Sequence, residues 1–241
     1  MTPLKAGFFD ETWFYAPVER TGETAALPAE EARHALRVLR LKPGDEIVVS
    51  NGAGSVFLAR LTEDGARFEV LERMRHDPTP PGLCLALGLL KGRDVEDPVE
   101  AACEFPVSEV FLLQTDHSSE FGGQSFEHLL ERLRHKSLVA LKQAKKTWLT
   151  RIHPPQKLRA WRELHREIPL ALAHPGPDTL PSSLAAALHV LVGPEGGFSN
   201  DELEYLLGQE NVYRLSLGPT RLRAIHAPVA AIGNLMGRGR W

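Results

Sequence analysis

The stretch that decides the fold is LVGPEGGFSNDE, residues 191–202. An apolar run ends there in a turn with three glycines, and a helical pattern begins immediately afterwards. Ser199 is a candidate helix N-cap, and Glu202, three residues on, completes a capping box. Glycines leave room for a ligand against bare backbone, and α/β proteins bind ligands where parallel strands end. The stretch predicts either a ligand-binding loop or a strand-to-helix turn made tight by proline and glycine.

Two further loops share this arrangement. LSLGPTRLR at residues 215–223 and AHPG at residues 173–176 each follow an apolar run. Arg221 and Arg223 are suited to hold a carboxylate or a phosphate, or else they cap solvent-facing carbonyls. His174 by itself is more typical of a structural histidine than of a catalytic one. The glycine loop contains neither GxGxxG nor Gly-Lys-Ser/Thr, which excludes a dinucleotide fingerprint and a P-loop.

Apolar runs and helical patterns alternate through the second two-thirds of the chain. Runs typical of strands buried on both faces fall at 83–90, 107–113, 169–173, 189–192 and 212–217. Helical patterns separate them at 95–105, 126–147 and 200–207, and a last helix begins at about Pro228. This alternation predicts an α/β fold with a mostly parallel sheet and helices on both faces.

The first third has a different pattern, with short strands predicted at 13–16, 46–50, 55–61 and 66–72. A helix is predicted from Pro28 until KPGD at residues 42–45 ends it. Asn51-Gly52 and Asp64-Gly65 supply the positive φ angles of tight hairpins. We therefore expect a small antiparallel β-barrel. The proline-rich residues 76–82 suggest a linker, which gives domains at 1–75 and 76–241.

The composition is that of a soluble globular protein. The 241 residues are 43% hydrophobic and 24% charged, with 28 Lys+Arg against 31 Asp+Glu and a net charge of −3. Two cysteines, Cys84 and Cys103, cannot make a disulfide scaffold, which favours a reducing compartment. Residues 1–20 lack the pattern of a signal peptide, and no apolar run reaches the roughly 18 residues that span a bilayer. We expect a cytoplasmic protein without a membrane partner.

The charge is concentrated in residues 132–166, which hold eleven basic residues and one acid, Glu163. This window carries +10 and leaves −13 for the rest of the chain. Such a block attracts phosphates, so we favour nucleic-acid contact over an ordinary solvated helix face. The candidate RNA-binding residues are Arg134, Lys142, Lys145, Lys146 and Arg151.

The chain resembles the RsmE family of the SPOUT superfamily, whose members methylate N3 of a uridine in 16S ribosomal RNA. The resemblance covers nearly the full length in the right order. It rests on VGPEGGFS at 192–199, SLG at 216–218, Leu222-Arg223, Lys91-Gly92, Glu104, Val107, HALRVLRL at 34–41 and PGD at 43–45.

The resemblance implies a C-terminal trefoil-knot domain that binds S-adenosylmethionine, an N-terminal PUA-like barrel that helps to hold RNA, and a homodimer. The partner would be ribosomal RNA or the small ribosomal subunit, and this chemistry requires no metal. The implied cofactor-binding residues are Ala173, His174, Gly193, Pro194, Glu195, Gly196, Gly197, Ser216, Leu217, Gly218 and Leu222.

The catalytic residues follow from the chemistry of uracil, whose N3 is a poor nucleophile until its proton leaves. Arg223 is the first candidate for stabilising the uracil anion or its phosphate, and Glu195 is a weaker candidate for the base. Glu195 has an alternative role, since its carboxylate can be tied to amides of the turn.

One departure from the family affects these assignments. After Leu-Arg the family usually reads Thr-Glu-Thr-Ala, whereas this chain reads AIHA at 224–227, followed by Pro228. Pro228 fits a helix only in its first turn. His226 is a candidate for proton handling, although a packing histidine is the simpler interpretation. The replacement leaves two alternatives open: a methyltransferase acting on another RNA, or an RNA-binding SPOUT protein without activity.

Overall fold

The computed structural model describes residues 12–118, 124–182 and 187–238. The chain divides into two compact units. The first comprises Met1–Pro80 together with Leu138–Leu149, and the second comprises Pro81–Ser137 together with Thr150–Trp241. Residues 1–11, at the start of the predicted first domain, lie outside the described part of the chain.

The first unit contains a five-stranded sheet in the order β1-β3-β4-β5-β2. All neighbouring strands pair antiparallel except β1 and β3, which are parallel. A short helix α1 continues directly into a π-helical turn, His34–Val38. The bounds are β1 Trp13–Tyr15, β2 Thr24–Ala26, α1 Ala29–Arg33, β3 Glu46–Ser50, β4 Ser55–Leu61 and β5 Arg67–His76.

These strands bury residues on both faces of the sheet. Phe14, Val49, Phe57 and Phe68 lie in the larger core, and Ala32 of α1 packs against it. Trp13, Val48 and Val56, at the alternate strand positions, form a smaller buried cluster. The two predicted hairpin turns are confirmed, because Gly52 and Gly65 have φ angles of +64° and +66°. The expected antiparallel pattern therefore holds except at β1, whose parallel pairing with β3 no local sequence signal indicates.

The second unit contains a six-stranded sheet in the order β11-β9-β10-β6-β7-β8, parallel throughout. The predicted α/β class is confirmed. Its strands are β6 Leu83–Gly88, β7 Val107–Gln114, β8 Arg151–Lys157, β9 Leu170–Ala173, β10 Leu188–Val192 and β11 Val212–Leu215. The helices are α2 Glu96–Glu104, α3 Gln124–Gln143, α4 Leu158–Leu164, α5 Asn200–Leu207 and α6 Ala227–Gly237.

Strand β8 and helix α4 were not expected from the sequence. Strand β8 contains Pro154 and Pro155, which donate no ladder hydrogen bonds and are tolerated because β8 lies at the edge of the sheet. The ladder is irregular there, with a register shift between Phe111 and Leu113. Strand β8 could not be predicted from apolar periodicity, because it contains two prolines and no continuous apolar run.

The helix predicted over 126–147 ends at Gln143. Lys145 follows with a left-handed φ of +54°, and the next residues bond within the first unit. Thr147 donates its hydroxyl to Asp77 Oδ2 at 2.6 Å, and the Trp148 indole donates to the Asp77 carbonyl at 3.0 Å. Gly54 accommodates Trp148, because a Cβ at Gly54 would lie 2.8 Å from the indole ring. These contacts explain why residues 138–149 belong to the first unit.

Candidate functional site

The three predicted loops meet at one edge of the parallel sheet. Strands β11, β9 and β10 are neighbours, so the loops that follow their carboxyl ends lie side by side. They enclose a cavity of about 560 Å³. It is lined by Ala173, His174, Pro175, Val192, Gly193, Pro194, Glu195, Gly196, Gly197, Phe198, Leu217, Gly218, Pro219, Thr220, Arg221, Leu222, Ala224 and Ala227.

Glycines let the 193–198 loop pack closely against its neighbours. A Cβ at Gly193 would lie 3.0 Å from the Phe198 ring, and one at Gly196 would lie 2.9 Å from His117 Cβ. A Cβ at Gly88, at the end of β6, would lie 2.5 Å from Pro194 Cδ. Side chains are excluded at these positions, so the backbone of the loop is exposed to the cavity. Such a surface suits a ligand that is recognised through backbone amides and carbonyls.

Side-chain hydrogen bonds hold this loop from three directions. The Lys91 amide donates to Glu195 Oε1 at 3.1 Å. His117, with the proton on Nδ1, donates to the Gly196 carbonyl at 3.1 Å. Arg221 donates to the Glu195 carbonyl at 3.4 Å. The loop is therefore preorganised by residues from the segments that follow β6, β7 and β11, and one oxygen of the Glu195 carboxylate is already engaged.

The loop ends in the predicted capping box at the start of α5. Ser199 Oγ accepts from the Glu202 amide at 3.2 Å, and Glu202 Oε2 accepts from the Ser199 amide at 2.9 Å. Glu202 Oε1 also accepts from the Asp116 amide at 3.0 Å, and Ser199 Oγ donates to Asp116 Oδ2. The cap therefore joins the end of the glycine loop to the segment after β7.

The walls of the cavity carry few charges. Glu195 and Arg221 are exposed at its rim, and His174 is half-buried in the wall. Burial lowers the pKa of His174, and the nearby positive charge of Arg214 lowers it further. His174 therefore presents a neutral imidazole at neutral pH.

Most residues predicted to bind the cofactor line this cavity. Ser216 does not; its carbonyl accepts from the Asn234 side chain at 3.4 Å. Glu195 lies on the lining, whereas Arg223 is exposed and outside it. Lining residues absent from the predicted set, among them Val192, Phe198 and Arg221, lie in the same three loops. The sequence indicated these residues only through their position next to the predicted ones.

The segment that departs from the family pattern forms the start of α6. The Arg223 carbonyl accepts from the amides of His226 and Ala227 at 3.0 and 3.1 Å. Pro228 lies in the first turn of the helix, as its missing amide hydrogen requires. Ala224 and Ala227 contribute to the lining of the cavity. Methyl groups therefore line the cavity where the family pattern begins with a threonine.

The predicted RNA-binding residues are divided between the two units. Arg134 and Arg151 are exposed residues of the second unit, while Lys142, Lys145 and Lys146 are half-buried residues of the first. Lys142 forms an ion pair with the buried Glu31. Lys145 Nζ lies 5.5 Å from the centre of the Trp13 ring. Part of the positive window thus serves internal packing.

Other residues of the window are also engaged. Arg132 contacts Glu96, Lys136 contacts Glu100, and the Arg159 guanidinium lies 4.5 Å from the Tyr205 ring centre. Arg162 is fully buried. In the described part of the chain, no group of histidine, cysteine and acidic side chains is arranged to hold a metal ion. Over the same residues, no helix has the length and hydropathy to cross a membrane.

A parallel α/β sheet with a glycine-rich cavity beside three adjacent strand ends defines an α/β ligand-binding domain. Comparison with known proteins identifies its family. Residues 77–236 match the RNA methyltransferase domain family, and residues 27–71 match the RNA methyltransferase PUA domain family. The chain belongs to this family of RNA methyltransferases.

Individual relatives confirm the resemblance to RsmE. The ribosomal RNA small subunit methyltransferase E of Mycobacterium bovis is 28% identical over 236 residues, covering 88% of this chain and 86% of the relative. A methyltransferase from Legionella pneumophila, solved with S-adenosylmethionine, has a TM-score of 0.83 at 22% identity, covering 94% of this chain and 97% of the other. The Neisseria gonorrhoeae ribosomal RNA small subunit methyltransferase E, also bound to S-adenosylmethionine, has a TM-score of 0.78 at 23% identity with the same coverage.

Proposed function

We propose that this protein transfers a methyl group from S-adenosylmethionine to N3 of a uridine in 16S ribosomal RNA. The observation that carries the proposal is the glycine-rich cavity at the ends of β9, β10 and β11 in an RNA methyltransferase domain. The names of the relatives support ribosomal RNA as the substrate class, and the cofactor of the Legionella and Neisseria proteins supports S-adenosylmethionine.

The cavity has the volume and lining that this cofactor needs. About 560 Å³ falls within the range of small-molecule sites. Gly193–Gly197 and Leu217–Leu222 offer backbone donors and acceptors for the adenine, and Val192 and Phe198 offer apolar contacts. Ala173 and His174 close the third side. When bound, S-adenosylmethionine supplies an electrophilic methyl group on its sulfonium.

Before methyl transfer, the protein must remove the N3 proton of uracil and stabilise the anion that results. Glu195 is the proposed base because it lies on the rim of the cavity. The Lys91 amide donates to its Oε1, and Oε2 is the oxygen proposed to accept the proton. Arg223 is the proposed cation that stabilises the uracil anion or binds its phosphate. Arg221 is a second candidate for that role, because it lies on the lining of the cavity.

The remaining parts of the proposal concern partners. We expect a homodimer in the cytoplasm that contacts ribosomal RNA or the small subunit through Arg134, Lys142, Lys145, Lys146 and Arg151. The apolar helix α6, in which Val229 and Met236 are half-buried, supports an interface between copies. The proposed reaction requires no metal.

The test is nucleoside mass spectrometry of 16S ribosomal RNA from a strain lacking the gene. We expect N3-methyluridine to disappear at one position and to return with the wild-type gene. Genes encoding R221Q or R223Q rank the two arginines, and R20Q, which replaces an exposed arginine of the first unit, is the control. Full methylation in the deletion strain would overturn the ribosomal assignment.

A second candidate function is RNA binding without methyl transfer. It is favoured by Ala224, Ile225 and His226, which replace the Thr-Glu-Thr of the family pattern. Titration calorimetry with S-adenosylmethionine separates the two functions. Micromolar binding supports the methyltransferase, whereas no binding by a folded protein supports the second candidate. A methyltransferase acting on another RNA would bind the cofactor and leave 16S ribosomal RNA unmodified.

A further inference from the structure

His117 is a histidine beside the glycine loop to which the proposed reaction gives no chemical task. It lies in the turn at residues 115–118, which follows the carboxyl end of β7. The turn packs so closely on the glycine loop that a Cβ at Gly196 would lie 2.9 Å from His117 Cβ. Gly196 lines the cavity, and Glu195 precedes it in the chain. His117 therefore contacts the wall of the cavity from outside.

One hydrogen bond fixes which nitrogen of the His117 imidazole carries the proton. Nδ1 lies 3.1 Å from the Gly196 carbonyl oxygen, which can only accept, so Nδ1 is the protonated nitrogen. In a neutral imidazole the other nitrogen, Nε2, then holds a free lone pair. Within the described residues Nε2 makes no hydrogen bond, and the His117 side chain is exposed. The arrangement presents a proton acceptor at the edge of the cavity.

Hydrogen bonds hold the turn that carries this imidazole. The Ser118 hydroxyl accepts from the Thr115 amide and donates to the Thr115 carbonyl, each at 2.9 Å. The Asp116 amide donates to Glu202 Oε1 at 3.0 Å, which ties the turn to the start of α5. A catalytic group that is fixed before the substrate arrives needs less ordering during the reaction. The turn therefore preorganises His117.

No neighbouring charge engages the free nitrogen. The charged residues in the hydrogen-bond network around the imidazole are Asp116, Glu195, Glu202, Lys91 and Arg221. Each of the three carboxylates accepts a hydrogen bond from another group, either a backbone amide or the Ser199 hydroxyl. In the described part of the chain, none of them forms an ion pair with His117. Nε2 is therefore left to accept a proton from a substrate.

The chemistry of uracil supplies such a proton, because N3 must lose its hydrogen before it attacks a methyl group. General bases work best when their pKa lies near the working pH. The ordinary pKa of an imidazole, about 6.5, is nearer to neutral pH than that of a carboxyl group, about 4. The family pattern offers a carboxylate where this chain has Ile225. His226 lies outside the cavity lining, whereas His117 contacts a lining residue.

We propose that His117 Nε2 accepts the N3 proton of the target uridine and carries most of the base catalysis at neutral pH, with Glu195 as the minor acceptor. The inference rests on the proposed methyl transfer and names a further catalytic residue for it. The N3–H bond breaks, its electron pair stays on N3, and the proton bonds to Nε2. The N3 pair then bonds to the methyl carbon while the carbon–sulfur bond breaks and its electrons pass to sulfur. The exposed imidazolium returns its proton to solvent.

The experiment separates the two nitrogens of the ring. H117N places an amide N–H near the position of Nδ1–H and removes Nε2, so it keeps a donor for the Gly196 carbonyl without the base. H128N is the matched control, since His128 is an exposed histidine of α3 in the same unit. Single-turnover methyl transfer is measured on 16S ribosomal RNA and on small subunits from the deletion strain. Calorimetry measures S-adenosylmethionine binding, and thermal melting checks folding.

We expect H117N to bind S-adenosylmethionine within about twofold of wild type and to transfer methyl groups about tenfold or more slowly at about pH 7. Its rate should rise about tenfold per pH unit up to about pH 9, because hydroxide then removes the N3 proton, whereas the wild-type rate levels off. H128N should match wild type in both measurements.

A modified substrate distinguishes a lost base from a distorted loop. Fluorine at C5 of uracil withdraws electrons and makes the N3–H more acidic, so a weaker base suffices. On RNA transcribed with 5-fluorouridine, the rate ratio of wild type to H117N should shrink toward one. A variant that only distorts the glycine loop would lose the same factor on both RNAs, and that result would overturn the inference.

The geometry can also be tested without methyl transfer. In the free protein, ¹⁵N chemical shifts of the His117 ring, assigned by their loss in H117N, should show a protonated Nδ1 and an unprotonated Nε2 at about pH 8. A neutral ring with its proton on Nε2 would overturn the inference, whatever the fate of the variants.

The outcomes separate this inference from the proposed function. An H117N rate within about twofold of wild type at about pH 7 would overturn the inference and leave the methyl transfer in place. A loss confined to E195Q or to H226N would do the same and would name the acceptor. A folded wild-type protein that methylates no uridine at N3 would overturn the proposed function and this inference together.

Discussion

Replacing Arg162 by methionine should strongly destabilise the second unit. Arg162 is 0% exposed, and its guanidinium donates to five acceptors, all of them carbonyl or amide oxygens. Nε donates to Gln209 Oε1 at 2.8 Å, and Nη1 donates to the carbonyls of His165 and Ile168 at 2.8 and 2.9 Å. Nη2 donates to the Arg166 carbonyl at 3.1 Å and to Asn211 Oδ1 at 2.5 Å. One side chain therefore joins α4 to the segment that enters β11.

The magnitude follows from these acceptors. A buried acceptor left without a donor costs about 1–3 kcal/mol, and such losses add incompletely because water and loop movement relieve some of them. We therefore expect R162M to lower the free energy of unfolding by about 3–5 kcal/mol, a large share of the about 5–15 kcal/mol of a typical domain. R162K should cost about 2 kcal/mol, since an ammonium offers three donors without the planar fork.

Urea unfolding followed by circular dichroism measures both variants. R159M is the matched control: Arg159 is exposed, lies over the Tyr205 ring and donates to one carbonyl at 3.3 Å. Its loss should cost less than about 1 kcal/mol. A value for R162M within about 1 kcal/mol of wild type would refute the reasoning, because it would mean that the acceptors that lose Arg162 find other donors at no cost.

Three further predictions concern the second unit. Burial lowers the pKa of His189 to about 3, and the positive charges of His165 and Arg162 contribute to this shift. Below about pH 6.5, His189 therefore binds a proton in the unfolded chain but stays neutral in the folded chain. The free energy of unfolding should fall by about 2 kcal/mol between about pH 7 and 5, and H189L should lose this increment in urea titrations. G88A should displace Pro194 and weaken S-adenosylmethionine binding about tenfold or more in calorimetry. G237A should not, because no atom of the described residues is recorded within 4 Å of a Cβ at Gly237. S199A should lower the thermal stability by about 1 kcal/mol through loss of the cap, and an unchanged melting temperature would contradict this.

The cavity was predictable because its signals are local. A buried strand, a turn of glycines and a capping box occupy twelve consecutive residues, 191–202, and each depends only on near neighbours in sequence. The parallel sheet then brings the other two loops alongside, since the carboxyl ends of its strands share one edge. The groups that hold the glycine loop, the Lys91 amide and the His117 side chain, are distant from it in sequence, and nothing near residues 191–202 indicates them.

The sequence predicts how many positive charges residues 132–166 carry, but not which of them are exposed. The sequence places eleven cations in residues 132–166, but the structure assigns them different tasks. Arg162 is buried, Lys142 pairs with Glu31, and Arg134 and Arg151 are exposed. Burial and pairing depend on contacts between residues far apart in sequence, which a charge count does not contain.

The sequence by itself determined the α/β class, the three strand-end loops and the hairpins at Gly52 and Gly65, because periodicity and turn chemistry act over a few residues. Only the tertiary structure decided that β1 pairs parallel with β3, that the proline-containing β8 forms an edge strand, and that residues 138–149 join the first unit. It also decided which arginines are buried and which are exposed. The physical reason is that burial, strand pairing and neutralisation of charge depend on neighbours that only the folded chain brings together.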